Sequence, residues 1–138
     1  MGNRVKTIDQ PRKIRTVLLI DDDVWLAGAL QRVLVKNDFI VQVFNDGRLA
    51  LEWLARERAD LVITDIYMDH MDGMEVLKSL RDLFPKVKVI AMSGGSQVVD
   101  FDCLAIAKML GAARTLPKPL QMDDLLSAIN ELEAEVLA

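Results

Sequence analysis

Short apolar runs alternate with longer amphipathic segments from residue 16 onward. Thr16–Ile20 (TVLLI) is continuously apolar, which is typical of a strand buried on both faces. Residues 39–44, 61–64, 87–92 and 113–116 predict four further strands. Regular alternation of strands with helices predicts parallel strands joined by right-handed crossovers, with helices on both faces of the sheet. The predicted fold class is therefore α/β, a doubly wound parallel sheet of five strands with five helices.

Apolar residues at helical spacing follow each predicted strand. Asp23 and the Asn45–Gly47 turn are expected to cap the first two helices, Pro85 to close the third and Gly111 to end the fourth. The residues expected to face inward are Leu26, Leu30, Val33, Leu34, Ala50, Leu51, Leu54, Val76, Leu77, Leu80, Phe84, Cys103, Ile106, Ala107, Leu110, Leu125, Ile129, Leu132 and Val136. Phe101, Leu104 and Met109 lie off this stripe and suggest a partner surface, unless the helical phase is misassigned.

Composition narrows the class of protein. The chain has 138 residues, 51% of them apolar and 28% charged, which fits one folded domain. No apolar run approaches the roughly 18–20 residues that cross a bilayer, and the first residues lack the pattern of a secretory signal. A single cysteine cannot form an internal disulfide, so a cytoplasmic location is expected. One cysteine and one histidine are also too few for a zinc site built from these ligands.

Charge is unevenly distributed. Residues 1–15 carry five basic side chains against Asp9 alone, within a chain of net charge −4. The predicted division is therefore a basic, flexible leader over 1–15 and a folded domain over 16–138. A solvated leader is the preferred interpretation, with binding to nucleic acid or an anionic surface as the alternative. The acidic body argues against nucleic acid as a partner.

Candidate chemistry lies at the carboxyl ends of the strands, where ligands bind in sheets of this kind. These ends carry Asp21–Asp23, Asp65, Ser93–Gly95 and Pro117–Pro119. Clustered carboxylates repel one another unless a cation neutralises them, and oxygen ligands beside phosphate favour Mg²⁺.

Such a site suits phosphoryl transfer. The Asp65 carboxylate could attack phosphorus to give an acyl phosphate. Ser93 and Lys118 could each hold one phosphoryl oxygen, because this reaction needs mainly alignment and charge stabilisation.

The stretch from about residue 16 to residue 138 resembles the receiver domain of two-component response regulators. Each matching motif is weak alone, but their order and spacing together are specific. They are Leu18–Asp23, Asp60–Ile66, Met71–Met74, Val89–Gly94 and Pro117–Pro119. The resemblance implies a flavodoxin-like sheet with strand order 2-1-3-4-5.

The resemblance also implies roles at the metal site. Asp21 and Asp22 become the acidic pair, with Asp22 the closer ligand of Mg²⁺. Asp65 becomes the phosphoacceptor and a metal ligand. The backbone carbonyl of Tyr67 becomes the third metal ligand from the protein, and the Tyr67 ring could slow dephosphorylation by shielding the acyl phosphate.

Two further roles and a cis peptide follow from the same resemblance. Ser93 becomes the switch hydroxyl, Lys118 the phosphate-sensing cation, and the Lys118–Pro119 bond is expected to be cis. This chain departs from the family at two places. Thr115 occupies the position where many receivers carry Tyr or Phe, so an aromatic rotamer signal is not expected. Met68-Asp69-His70 follows the acceptor where a proline is usual.

The implied function is a phosphorylation-controlled switch rather than an enzyme beyond its own phosphorylation and dephosphorylation. The donor would be a phosphohistidine on a sensor histidine kinase or a histidine phosphotransfer protein. No output domain follows the last predicted helix, so the chain is expected to be a stand-alone receiver or part of a longer protein. The output partner is unknown, and a dimer that forms on phosphorylation is compatible with this function.

Two other functions remain open. Asp21-x-Asp23 resembles the signature of haloacid-dehalogenase-type phosphatases, with Asp21 as nucleophile and Asp23 as acid–base, although Val24-Trp25 replaces the expected Gly-Thr. The other alternative is a receiver-like scaffold that binds partners without taking phosphate.

Overall fold

The structure is a computed structural model, and it describes residues 13–66, 73–93 and 101–137, without the side chains of residues 101–104, 136 and 137. Strands and helices alternate strictly along the chain. The elements are β1 (Thr16–Ile20), α1 (Val24–Lys36), β2 (Ile40–Phe44), α2 (Gly47–Leu54), β3 (Leu61–Asp65), α3 (Gly73–Leu83), β4 (Lys88–Ser93), α4 (Phe101–Met109), β5 (Arg114–Pro117) and α5 (Met122–Leu137).

The five strands form one parallel sheet in the order β2-β1-β3-β4-β5, which confirms the predicted fold class and strand order. Ile20 pairs with Thr64, Asp65 with Met92 and Ser93 with Pro117. This register brings the carboxyl ends of β1, β3, β4 and β5 to one edge of the sheet.

Apolar side chains on both faces of the sheet form two cores. Val17 and Leu19 face the core beneath α1 and α5, whereas Leu18 and Ile20 face the core beneath α2, α3 and α4. A fully buried aliphatic side chain contributes about 1.5–3 kcal/mol, so the uninterrupted apolar run of β1 stabilises both layers. The core also includes Ile14, two residues before β1. The predicted boundary between leader and domain at residue 16 stays a prediction.

The predicted caps and stops are confirmed. The Asp23 carboxylate accepts from the backbone N–H of Trp25 and Leu26 at the start of α1, and Asp46 accepts from Arg48 at the start of α2. Pro85 follows the end of α3, and Gly111 adopts φ +109° after α4, in the left-handed region that favours glycine.

Most predicted inward residues of α2, α3 and α5 are buried, with Leu51 and Phe84 half-buried, whereas α1 and α4 differ more from the prediction. In α1, Leu30 and Leu34 are buried as expected, but Ala27 completes the buried face, while Leu26 and Val33 are only half-buried.

In α4, Ile106 is 45% exposed, so its predicted inward position is wrong. The reason is that residues 103–107 and 109–110 are all apolar, so the sequence defines no single face. Met109 is 80% exposed, as predicted. The side chains of Phe101, Cys103, Leu104 and Val136 lie outside the described residues.

Candidate functional site

Asp21 directly follows β1, and its side chain is completely buried. Its backbone N–H donates to the carbonyl of Phe44, with N···O 3.1 Å. Its carboxylate Oδ1 accepts from the backbone N–H of Asp23 at 2.9 Å. The carboxylate is therefore fixed between the ends of β1 and β2 and the start of α1.

Lys118 brings the ends of three strands together. Its Nζ lies 3.3 Å from Asp21 Oδ2 and 3.2 Å from Asp65 Oδ2. Its backbone N–H donates to the carbonyl of Ser93 at 2.6 Å, and the Lys118–Pro119 peptide is cis, as the resemblance implied. One ammonium thus bridges two buried carboxylates from β1 and β3.

The charges in this cluster are not balanced. Burial opposes the ammonium charge of Lys118, but Asp65 and Asp21 outweigh that effect and raise the pKa of Lys118. Burial raises the pKa of Asp21, although the Asp23 amide and Lys118 act in the opposite direction. One ammonium does not fully offset the cost of burying two carboxylates, and a further cation would offset more of it.

The cluster fits a divalent cation. Carboxylate oxygens of Asp21, Asp22 and Asp65 lie within 4.8 Å of one another. Three carboxylates and one ammonium leave a formal charge of −2, and an all-oxygen ligand set of this size suits a hard cation such as Mg²⁺. Asp22 is half-buried and leaves the cluster open on one side.

Ser93 ends β4 beside the acceptor strand. Its residue is 1% exposed, and its Oγ has no hydrogen-bond partner among the described residues. The backbone N–H of Ile66 donates to the carbonyl of Met92 at 2.9 Å, which holds the ends of β3 and β4 together. A buried hydroxyl without a partner costs about 1–3 kcal/mol, which an incoming oxygen ligand would recover.

The backbone after Asp65 is held by residues to which sequence reasoning gave no role. The Oγ1 of Thr64, which is fully buried, lies 3.1 Å from the carbonyl oxygen of Asp65 and donates to it. The backbone N–H of Gly73 donates to the carbonyl of Ile66 at 2.9 Å. A Cβ at Gly73 would lie 2.3 Å from that carbonyl oxygen and 2.5 Å from that of Asp65. The motif Met71–Met74 marked Gly73 only as a family match, whereas the structure shows that α3 begins against this peptide.

The structure describes two other predicted residues, Thr115 and Asp23. Thr115 is half-buried in β5, opposite Ala91 of β4. Asp23 is exposed and caps α1. Tyr67, Met68-Asp69-His70 and Gly94-Gly95 lie outside the described residues.

Comparison with known proteins identifies the family. The family model for the response regulator receiver domain matches residues 17–130. The response regulator MprA of Mycobacterium leprae (strain TN) is 33% identical over 117 residues, covering 84% of this chain and 50% of that protein. The DNA-binding transcriptional regulator NtrC of Escherichia coli (strain K12) is 33% identical over 114 residues, covering 83% of this chain and 24% of that protein. The chain thus spans half or less of these relatives.

Solved structures share the fold. A CheY-like receiver domain protein from Methanospirillum hungatei JF-1 superposes with a TM-score of 0.81 at 24% identity, covering 89% of this chain and 96% of that one. The receiver domain of an HD domain-containing protein from Pseudomonas fluorescens Pf-5 gives 0.79 at 27% identity, covering 89% of both chains. Within the described part of the chain, no helix has the length and apolar character needed to cross a membrane.

Proposed function

The chain belongs to the response regulator receiver domain family, and on that premise we propose that it is a phosphoacceptor switch of a two-component phosphorelay. Its donor is a phosphohistidine on a sensor histidine kinase or a histidine phosphotransfer protein. The observation that carries the proposal is the contact of Lys118 Nζ with both Asp21 and Asp65 at the carboxyl edge of the sheet. The Lys118 ammonium can bind a phosphoryl oxygen only by giving up one of these two carboxylate contacts.

The reaction uses the carboxylate of Asp65. One of its oxygens attacks phosphorus, the P–N bond of the donor breaks, and the electron pair of that bond returns to the donor imidazole. Lys118 then exchanges its contact with Asp65 Oδ2 for a phosphoryl oxygen, and the Ser93 hydroxyl donates to another. The Ser93 hydroxyl is buried and the Lys118 side chain is only 15% exposed at the strand ends, so little reorganisation is needed in the transition state.

Mg²⁺ is the proposed cofactor. The carboxylates of Asp21, Asp22 and Asp65, together with the backbone carbonyl of Tyr67, would hold it. The ion supplies charge neutralisation for the phosphoryl oxygens. Asp21 is fixed by its bond from Asp23, so it would act as a rigid member of the ligand set, whereas the half-buried Asp22 lies nearer solvent.

The signal leaves the site through β5. The backbone N–H of Lys118 donates to the carbonyl of Ser93 and joins the end of β4 to the end of β5, so a backbone shift at either residue would reach both strands. Thr115 provides no aromatic ring for a rotamer signal, and we propose that backbone shifts reach the surface beside α4, where Ile106 and Met109 are exposed. A partner protein, or a second copy in a phosphorylation-dependent dimer, would bind the altered surface.

The chain acts as a switch, with self-catalysed phosphorylation and dephosphorylation as its only chemistry. We place it in the cytoplasm, with residues 1–15 as a basic leader and residues 16–138 as the receiver. The matched relatives extend well beyond the shared region, so an output function in the same polypeptide or in a separate partner fits equally well with this proposal.

The test is intact-mass analysis after incubation with acetyl phosphate and Mg²⁺. Wild type is expected to gain one phosphoryl group, and the gain is expected to disappear in Asp65→Asn and on chelation of Mg²⁺. Asp23→Asn is the matched control, because it alters a neighbouring carboxylate that caps α1, and it is expected to be labelled like wild type.

Two further assays separate the alternatives. Turnover of p-nitrophenyl phosphate that survives in Asp65→Asn and is lost in Asp21→Asn would support the phosphatase. That function is disfavoured by Asp23, its required acid–base, which accepts from Trp25 and Leu26 as a helix cap. No adduct on wild type, together with no binding of BeF₃⁻, would support the scaffold.

A further inference from the structure

A cavity of about 330 Å³ opens at the amino edge of the sheet, at the opposite end of the strands from the carboxylate cluster. It lies between the segment before β1, the α2–β3 connection and the α3–β4 connection. Its apolar wall includes Ile14, Leu54, Phe84 and Val87. Its volume lies in the range of small-molecule sites.

Hydrogen bonds hold the walls of this cavity in place. Asp60 Oδ2 accepts from the backbone N–H of Arg15 and of Thr16, at 2.9 and 3.0 Å. The backbone N–H of Val87 donates to the carbonyl of Phe84 at 3.1 Å. These bonds join the segment before β1 to the α2–β3 connection and close the α3–β4 turn, so the backbone around the cavity is fixed.

Basic residues outnumber acidic ones in the lining of this cavity, although the chain as a whole has a net charge of −4. Four basic residues line it: Lys13, Arg58, Lys86 and Lys88. The lining carboxylates are Glu57 and Asp60, and one oxygen of Asp60 is already occupied by the two backbone amides. Over residues 13–66, 73–93 and 101–137, no carboxylate lies within ion-pairing distance of the side chains of Lys13, Arg58 and Lys86.

We propose that this cavity binds a small organic anion, with its phosphate, sulfonate or carboxylate group among the basic side chains and its apolar body against Phe84 and Val87. The cationic rim supplies attraction, and the apolar wall supplies affinity through burial. The cavity shares no lining residue with the carboxylate cluster. The proposal is therefore independent of phosphorylation at Asp65.

The test uses 8-anilinonaphthalene-1-sulfonate as the anionic probe and N-phenyl-1-naphthylamine as its uncharged analogue, each titrated into the ¹⁵N-labelled full chain. The anion is expected to shift the backbone amide signals of residues 13–14, 57–60 and 86–88. The uncharged analogue is expected to bind at least about tenfold more weakly, because two or more cations contact the sulfonate.

A pair of charge-reversal variants makes the test specific. Arg58→Glu/Lys86→Glu is expected to raise the dissociation constant of the anion at least about tenfold. Arg32→Glu/Lys78→Glu makes the same change in net charge on exposed residues of α1 and α3 outside the cavity, and it is expected to bind like wild type. Equal binding of both probes, shifts elsewhere, equal affinity in the two double variants or no binding to wild type would each overturn the proposal.

Discussion

The ammonium of Lys118 lies 3.2 Å from Asp65 Oδ2 while the same Nζ lies 3.3 Å from Asp21 Oδ2. The Lys118 side chain is 15% exposed and the two carboxylates are 0% and 8% exposed. A single cation therefore stabilises two acidic groups that have little access to water. Removing it leaves both carboxylates in an environment that penalises their charge.

Lys118→Met is accordingly expected to lower the free energy of unfolding of the metal-free protein by about 3 kcal/mol at neutral pH, measured by urea denaturation. Lys78→Met is the matched control, since Lys78 is an exposed residue of α3, and its expected effect is within about 0.5 kcal/mol. A loss in Lys118→Met no larger than in the control would show that the bridge contributes nothing to stability.

Mg²⁺ is expected to stabilise the folded protein, because the ligand set is present only when β1 and β3 are aligned. At a concentration 100 times its dissociation constant, a bound ion adds about 2.7 kcal/mol to the free energy of unfolding. Thermal unfolding with and without Mg²⁺ measures this gain as a rise in Tm.

Asp22→Asn is expected to remove most of that Mg²⁺-dependent rise while the metal-free protein unfolds at a similar temperature. Asp46→Asn serves as the control, since it keeps a capping oxygen at the start of α2 and lies outside the carboxylate cluster. An equal Mg²⁺ effect in wild type and Asp22→Asn would contradict the proposed ligand set.

Strands β1, β3 and β4 were predictable because almost all of their residues are buried, which requires a continuous apolar run in the sequence. In a parallel sheet covered on both faces, Leu18 and Leu19 must both be apolar although they point to opposite sides. Helix α4 lacks such a record, since Ile106 and Ala107 are both apolar while only Ala107 is buried. Which of them faces inward depends on how the helix sits against β4 and β5.

The candidate site was predictable as a set of residues but not as a set of contacts. Strand ends converge by topology, so Asp21, Asp65 and Lys118 were expected at one edge. The sequence does not reveal that one ammonium bridges two carboxylates, nor that α3 begins against the Asp65–Ile66 peptide. Both depend on distances set by packing between elements far apart in the chain.

Ser93→Ala separates stability from chemistry. Removing a buried hydroxyl that has no partner among the described residues is expected to leave the free energy of unfolding unchanged or raise it by about 1 kcal/mol. The rate of labelling by acetyl phosphate is expected to fall at least about tenfold, because one donor to the phosphoryl oxygens is lost. Urea denaturation and time-resolved intact mass measure the two effects on the same samples.

Ser127→Ala provides the matched control for Ser93→Ala, because Ser127 is an exposed serine of α5. It is expected to be labelled at the wild-type rate and to change the free energy of unfolding by no more than about 0.5 kcal/mol. A Ser93→Ala protein labelled as fast as wild type would remove Ser93 from the proposed mechanism.

Gly73→Ala tests the close approach of α3 to the acceptor strand. A Cβ there would lie 2.3 Å from the carbonyl oxygen of Ile66 and 2.4 Å from its Cα. Because both are backbone atoms, α3 or the Asp65–Ile66 peptide must move, and we expect a loss of about 3 kcal/mol in the free energy of unfolding. The displaced peptide is expected to slow labelling at Asp65 as well.

Gly28→Ala makes the same chemical change where space is available. Gly28 lies within α1, and its nearest contact for an added Cβ is the flexible end of Arg32 at 3.8 Å. Alanine favours the helix over glycine by about 1 kcal/mol, so this variant is expected to be more stable than wild type. Opposite signs for the two substitutions, measured by urea denaturation, would assign the cost at Gly73 to the clash with Ile66. A Gly73→Ala protein as stable as wild type would show that α3 does not begin against that peptide.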